Sequence, residues 1–152
     1  MKAILLLLLS SSLSIVILSI VGIITTPSVF AQQKSSLDLT TPTATDLYGG
    51  DKKGILNLNV QEETVIVNAT MNEPPADGKV YEGWFEDKGD ASGYSLSLGK
   101  FDEETNTLST NRTMVNPFTY TIFYVTAEPV NDPDPKPSDV VVATKLPIPF
   151  GQ

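Results

Sequence analysis

Carboxylates are the side chains best suited to chemistry in this chain, because the sequence contains no histidine and no cysteine. Two facing carboxyl groups could hydrolyse a glycosidic bond, and several in one loop could bind Ca²⁺. The missing imidazoles and thiolates exclude Ser-His and Cys-His catalysis and argue against copper, structural zinc and haem sites. The stretch 79–101, KVYEGWFEDKGDASGYSLSLGKF, places carboxylates beside aromatic rings and is the first candidate site.

Two turn-like segments carry the candidate calcium ligands. Asp87 and Asp90 lie in the first segment, and Asp132 and Asp134 lie in the second. Ca²⁺ prefers such hard oxygen ligands, but neither segment has the spacing of an EF-hand. Aspartate also suits turn geometry without any metal, and is then simply solvated. We therefore predict no metal site and no cofactor, and keep these four aspartates as the calcium candidates.

Paired carboxylates for glycoside hydrolysis are a second kind of site to consider. Glu82 and Glu86 lie close to the aromatic residues, but acidic residues are abundant throughout this chain and abundance alone is not a pattern. A single small all-β domain also has few long loops with which to build a cleft around a sugar. We predict that the protein is not an enzyme and has no catalytic residues.

The aromatic strand around Tyr81 and Trp84 has two interpretations. An exposed Trp84 ring could stack on carbohydrate or peptide, whereas a lone tryptophan in a central strand usually packs in the core. In an extended strand these two residues point to opposite faces, unless a bulge at Gly83 turns the chain. We predict structural roles for both residues and keep the exposed ring as the alternative.

Seven segments with the period-two alternation of strands would position these residues. They are 56–60, 65–71, 79–86, 94–98, 107–113, 118–128 and 139–146. The connections are rich in turn-forming residues, and no segment shows a convincing helical period. The pattern predicts an all-β protein: a single antiparallel β-sandwich of immunoglobulin or fibronectin type, with about seven strands.

The N-terminus predicts export. Residues 3–24 form an apolar run long enough to span a bilayer, and Val29 and Ala31 suit the −3 and −1 positions of a signal-peptidase site. We therefore predict a signal peptide, 1–31, cleaved after Ala31. The alternative is an uncleaved membrane anchor formed by residues 3–24. In both cases the remainder of the chain is extracytoplasmic, either secreted or anchored to the cell membrane.

The segment 32–53 is small and polar and is predicted to be a flexible spacer before a domain at 54–149. Its apolar residues, Leu37 and Leu39 among them, could instead add an edge strand. The net charge is −8, which disfavours nucleic acid and anionic lipid as partners. Asn68 and Asn111 begin N-x-[ST] sequons and are candidate glycosylation sites on an exported chain.

An ordered set of residues resembles the extracytoplasmic C-terminal domain of RskA-type anti-sigma-K factors, over about 56–147. The set is Pro74-Pro75, Gly78, Tyr81, Trp84, Leu98-Gly99, Phe101, Phe123, Val125-Thr126, Glu128-Pro129, Pro135, Pro137, Val140-Val141-Val142 and Leu146. The resemblance implies a β-sandwich with Trp84 in its core. It also draws attention to Glu128 and Pro129, where a carboxylate at a strand end could accept hydrogen bonds from a loop or could remain a solvated edge charge.

The departures from that family limit what the resemblance implies. In the family, a cytoplasmic domain holds the sigma factor and one helix crosses the membrane. Only Met1-Lys2 precedes the apolar run here, so we expect no sigma-binding domain, and the His/Cys zinc motif is absent. Val130-Asn131-Asp132 replaces the glycine turn that often follows the Glu-Pro pair.

Together these observations predict a non-enzymatic, exported or membrane-anchored β-sandwich that acts as an interaction or sensory module. Its partner would be a protein of the cell envelope, bound through loop ends or an exposed sheet edge. Contact with the membrane would be limited to residues 3–24. The alternative function is calcium-assisted cell-surface adhesion, or association with a surface coat, through the aspartate loops.

Overall fold

The structure, a computed structural model, describes residues 33–61, 63–87, 93–114, 116–133 and 136–147. The predicted signal peptide or anchor helix, the cleavage position Ala31, and the calcium candidates Asp90 and Asp134 lie outside the described residues. Within these ranges no helix is long and apolar enough to cross a membrane.

The described chain is all-β, and every one of the seven predicted strands is present. The eight strands are β1 (Gln33–Thr40), β2 (Lys52–Gln61), β3 (Thr64–Met71), β4 (Lys79–Asp87), β5 (Tyr94–Lys100), β6 (Thr107–Thr113), β7 (Tyr120–Pro129) and β8 (Val140–Lys145). A single 3-10 turn, Pro117–Thr119, precedes β7, where the prediction began the strand at residue 118. The alternation of apolar and polar residues therefore located the strands correctly to within a few residues.

The prediction of a flexible spacer at 32–53 is wrong for most of that segment. Gln33–Thr40 forms β1, which pairs along its whole length with β2 and at Thr40 with Ala143 of β8. The following loop, 41–51, is tied by internal hydrogen bonds. The sheet therefore begins at Gln33, well before residue 54, and β1 is an internal strand with Leu39 fully buried. The polar residues that suggested a spacer face solvent on the opposite side of β1.

All eight strands are antiparallel and form one nearly closed sheet, in the order β5-β4-β7-β8-β1-β2-β3-β6. The pairing is extensive except at two joints. Strands β8 and β1 share one residue pair, Thr40 with Ala143. Strands β5 and β6, the two edges of the sheet, share no ladder pair among the described residues, and the isolated bridge between Asp102 and Thr107 closes the turn that connects them. The strands β5-β4-β7-β8 and β1-β2-β3-β6 are therefore two well-paired halves.

The main core lies between these two halves. Inward residues of all eight strands or their ends form one apolar cluster, whose largest fully buried members are Phe85 and Phe123. Gly83 also faces this interior, because a Cβ atom added there would lie 2.6 Å from Cδ2 of Leu108 on β6. The glycine therefore lets the two halves approach closely at this point.

The strand directions separate the molecule into two ends. One end of the sheet, which we call the tail end, contains Gln33, Glu63, Thr113 and Leu146. The connections 41–51, 72–78, 101–106 and 130–139 leave the opposite end, which we call the loop end. Backbone hydrogen bonds join these connections to neighbouring strands and loops, for example Val130 N–H to the Gly78 carbonyl at 3.2 Å.

Candidate functional site

A second, smaller apolar cluster lies on the outer face of the β4-β7-β8 region. Trp84, Ile122, Tyr124 and Ala143 are its buried members. The Trp84 and Tyr124 rings are stacked, with centroids 6.3 Å apart and an angle of 11° between their planes. Trp84 is 4% exposed, so the alternative interpretation of an exposed ring that stacks on a ligand does not fit this structure.

Loop 41–51 packs against this cluster. Leu47 and Tyr48 pack against the buried aromatic residues, although both lie in the segment predicted to be a spacer. Thr40 Oγ1 accepts from the Gly49 N–H at 2.7 Å, and Thr41 Oγ1 accepts from the Asp51 N–H at 3.0 Å. Hydrogen bonds accepted by threonine hydroxyls thus hold the loop in the conformation in which Leu47 and Tyr48 pack against the cluster.

A chain of buried polar groups extends from Trp84 towards the loop end. The indole Nε1–H donates to Thr126 Oγ1 at 2.9 Å. Thr126 hydrogen-bonds in turn to the carboxylate of Glu128, which is 2% exposed. That carboxylate accepts from the Ser138 N–H at 2.9 Å and from the Ser138 hydroxyl. Glu128 therefore fastens connection 130–139 to the sheet, and the alternative of a solvated edge charge does not fit.

The environment of Glu128 favours its charged form. Burial is the largest single influence and on its own would raise the pKa of this carboxyl. Hydrogen bonds donated by Ser138 and Thr126 outweigh burial, so the pKa lies below its ordinary value. Glu128 is consequently a buried anion with several hydrogen-bond partners. Such a group stabilises a loop and does not act as an acid at neutral pH.

The remaining structural candidates occupy distinct positions. Tyr81 faces the main core and meets the Phe101 ring edge-on, with centroids 5.9 Å apart, so Tyr81 and Trp84 do point to opposite faces. Burial, followed by the nearby Glu73 carboxylate, raises the pKa of the Tyr81 hydroxyl. Pro129 ends β7 at the exposed surface, opposite Lys79 of β4.

The carboxylates named as calcium or catalytic candidates are dispersed. Asp87 ends β4 at the tail end, whereas Asp132 lies in connection 130–139 at the loop end. In the part of the chain that the structure describes, no three metal-ligating side chains come together. Glu82 and Glu86 both lie on β4, on either side of Trp84, and Glu82 accepts a hydrogen bond from the Ser97 hydroxyl.

Both sequon asparagines lie on the outer face of the other half of the sheet. Asn68 is on β3 and Asn111 is on the edge strand β6, and both are exposed. Asn68 is paired with Ser109, whose hydroxyl donates to the Asn68 Oδ1 at 2.8 Å. The two asparagines therefore share one face, and a sugar attached to Asn68 would lie across it.

Sequence reasoning did not identify a shallow groove on this same face. The groove has a volume of about 310 Å³ and is lined by Lys34, Ser36, Asn57, Asn59 and Asn68, among others. It crosses the consecutive strands β1, β2 and β3, so its residues are brought together by the register of those strands. The only local indication of the groove was the pair of asparagines in the segment NLN at 57–59. The alternating pattern identified these two residues simply as the polar side of a strand.

Comparison with known proteins gives no relative for this chain. No family model, no curated protein and no solved structure matches it. The resemblance to the outer domain of anti-sigma-K factors therefore rests on its short motifs alone and stays a prediction.

Proposed function

We propose that this protein is a non-catalytic, extracytoplasmic interaction module that presents its loop end to a protein partner of the cell envelope. The observation that carries the proposal is the polarity of the fold. The chain that follows the predicted leader enters at the tail end, and four connections gather at the opposite end. A module attached to a membrane through its N-terminus would thus hold these loops away from the attachment point.

Hydrogen bonds among the described residues of the loop end also support this proposal. Glu128 fastens connection 130–139, Lys100 Nζ donates to the Val130 carbonyl at 3.3 Å, and Asp102 accepts three hydrogen bonds within its own turn. Loops held in one conformation lose less conformational entropy when they bind a partner. The exposed Val130, 42% accessible, adds an apolar contact at the same end.

We further propose that the two halves of the sheet behave as the two layers of a β-sandwich. Neighbouring strands are paired within each half, whereas one residue pair joins β1 to β8, and β5 and β6 share no ladder pair among the described residues. If the protein is a regulator of the anti-sigma-K type, it stays anchored by residues 3–24 and works through a second protein that reaches the cytoplasm. Mass-spectrometric determination of the native N-terminus in membrane and soluble fractions distinguishes an anchored form from a form cleaved after Ala31.

The lack of native cysteine makes the orientation directly testable. A Glu103→Cys variant places one thiol in the exposed 101–106 turn, and Val125→Cys places one in the core as a buried control. We expect a membrane-impermeant maleimide to label Glu103→Cys in intact cells and to label Val125→Cys only after denaturation. Labelling of Glu103→Cys only after cell lysis would contradict export.

The binding surface is tested with a photoactivatable crosslinker attached to the same thiol. Gln61→Cys serves as the matched control, because Gln61 is also exposed but lies at the tail end. We expect Glu103→Cys to give a discrete crosslinked product in cells and Gln61→Cys to give none. Equal products from both positions, or none from Glu103→Cys, would exclude the loop end as the interface.

A further inference from the structure

We propose that the groove on the outer face of β1, β2 and β3 is a binding site for a neutral glycan chain. We call this groove, lined by Lys34, Ser36, Asn57, Asn59 and Asn68, the amide groove. It lies on a different surface from the loop end, and the inference does not depend on the function proposed above. Its volume of about 310 Å³ is at the lower end of the range of ligand sites in proteins.

The register of the strands aligns the polar side chains in a row across the sheet. Ser36 is opposite Asn57, Asn57 is opposite Asn68, and Asn68 is opposite Ser109. Neighbouring strands are ~4.8 Å apart, so this row of four residues spans about 14 Å. The strand spacing is close to the rise per sugar of an extended glycan. A chain lying across the strands would therefore meet about one amide or hydroxyl group per sugar.

The chemistry of the row matches hydroxyl groups better than it matches anions. Each asparagine amide offers two N–H donors and one carbonyl acceptor, and a sugar hydroxyl both donates and accepts. Phosphate and carboxylate ligands only accept, and are usually bound by several arginines or lysines. Lys34 is the single cation of the amide groove, and Asp38 on the same face is paired with Lys52 at 2.6 Å. The net charge of −8 also disfavours an anionic polymer.

One polar atom in the groove lacks a partner. The side-chain oxygen of Asn59 is shielded from solvent and has no hydrogen-bond partner among the described residues. Native structures rarely leave such an atom unsatisfied, and rotation of the Asn59 amide towards the groove would let a ligand hydroxyl donate to it. The row is flanked by Ile55, 37% exposed, and by Ile66, which can contact the C–H face of a sugar ring.

The experiment is a titration of the ¹⁵N-labelled full chain, in detergent when the leader is retained, followed by NMR. The probes are neutral tetrasaccharides of glucose, mannose and N-acetylglucosamine, with a uronic-acid tetrasaccharide as the anionic comparison. We expect at least one neutral probe, at millimolar concentration, to shift the side-chain NH₂ signals of Asn57 and Asn59. Asn57→Ala should weaken that binding about fivefold, the loss of one hydrogen bond. Asn72→Ala, an exposed asparagine at the loop end, should leave it unchanged.

The outcomes of the titration distinguish binding of a free glycan in the amide groove from the alternatives. Unchanged Trp84 emission in both variants verifies that the fold is intact, because this ring is buried in the cluster on the other half of the sheet and is not part of the amide groove. No shift with any neutral probe, shifts confined to the loop end, or stronger binding of the anionic probe would overturn the proposal. An intact mass showing a glycan on Asn68 of the native protein would also overturn it, because the groove would then be filled by the chain's own covalent sugar.

Discussion

The outer faces of the two halves of the sheet differ in what covers them. On the β4-β7-β8 side, loop 41–51 closes over Trp84 and Tyr124, and a buried hydrogen-bond chain continues to Glu128. On the β1-β2-β3-β6 side, asparagines, serines and threonines remain open to solvent. Both faces have the same antiparallel architecture. Because only the first face is covered by a loop, we expect it to contribute more to stability. The open face is the one on which we propose the glycan site.

The largest expected effect compares one residue from each face. Trp84→Ala should lower the free energy of unfolding by about 3–5 kcal/mol, because it removes a buried ring and its stacked contact with Tyr124. Asn57→Ala on the open face should change it by less than about 0.5 kcal/mol. Urea unfolding followed by circular dichroism measures both values. A loss in Asn57→Ala as large as that in Trp84→Ala would show that the open face is also structural.

Glu128→Gln comes next in size. This substitution keeps the shape of the side chain but removes the charge that accepts hydrogen bonds from Ser138 and Thr126, so we expect a loss of about 2 kcal/mol. Hydrogen exchange should show the Ser138 N–H losing its protection. Glu104→Gln, in an exposed turn, is the control and should cost less than about 0.5 kcal/mol. Continued protection of the Ser138 amide would mean that Glu128 does not hold connection 130–139.

The same group gives stability a defined dependence on pH. The folded state lowers the pKa of Glu128, so its contribution is fully present above the ordinary pKa of a glutamate in the unfolded chain. That contribution is lost as the pH falls through the lower, folded-state pKa. The difference in unfolding free energy between the native chain and Glu128→Gln should thus be constant near neutral pH and shrink in this acidic window. A difference that grew as the pH fell would show that folding raises the pKa of Glu128 instead of lowering it.

Gly50→Ala tests how firmly the covering loop is held, and has the smallest expected effect. A Cβ atom at position 50 would lie 2.3 Å from Thr41 Oγ1 and 2.8 Å from the Thr41 carbonyl oxygen. We expect a loss of about 1–2 kcal/mol and a red shift of Trp84 emission, because the loop must move to relieve the contact. Gly78→Ala, where φ is +75° and no atom lies within 4 Å, should cost a similar amount without changing the emission. Identical emission in both variants would argue that loop 41–51 does not shield Trp84.

Much of the fold follows from local pattern. Alternation with a period of two identified seven strands and correctly placed Tyr81 and Trp84 on opposite faces of β4. The missing strand, β1, has the same alternation at Leu37 and Leu39, but its surrounding serines and threonines also suit a linker. Composition alone does not distinguish a polar outer face from a polar spacer.

The candidate sites were less predictable because they depend on contacts between distant segments. The residue type of Glu128 and its position at a strand end suggested a hydrogen-bond acceptor. Its partner Ser138 could not be predicted, because it depends on how connection 130–139 folds back onto the sheet. The amide groove joins residues 34–36, 57–59 and 68 through strand register, which no local window contains.

The sequence by itself determined the all-β character, the strand positions and the exclusion of histidine and cysteine chemistry, since these depend on residue type and on near-neighbour spacing. Only the tertiary structure decided that β1 lies between β2 and β8, that Trp84 is covered by loop 41–51, and that the asparagines form a continuous open face. The physical reason is that pleat and turn preferences act over a few residues. Register and loop packing are instead fixed by the burial of a shared core among strands that are remote along the chain.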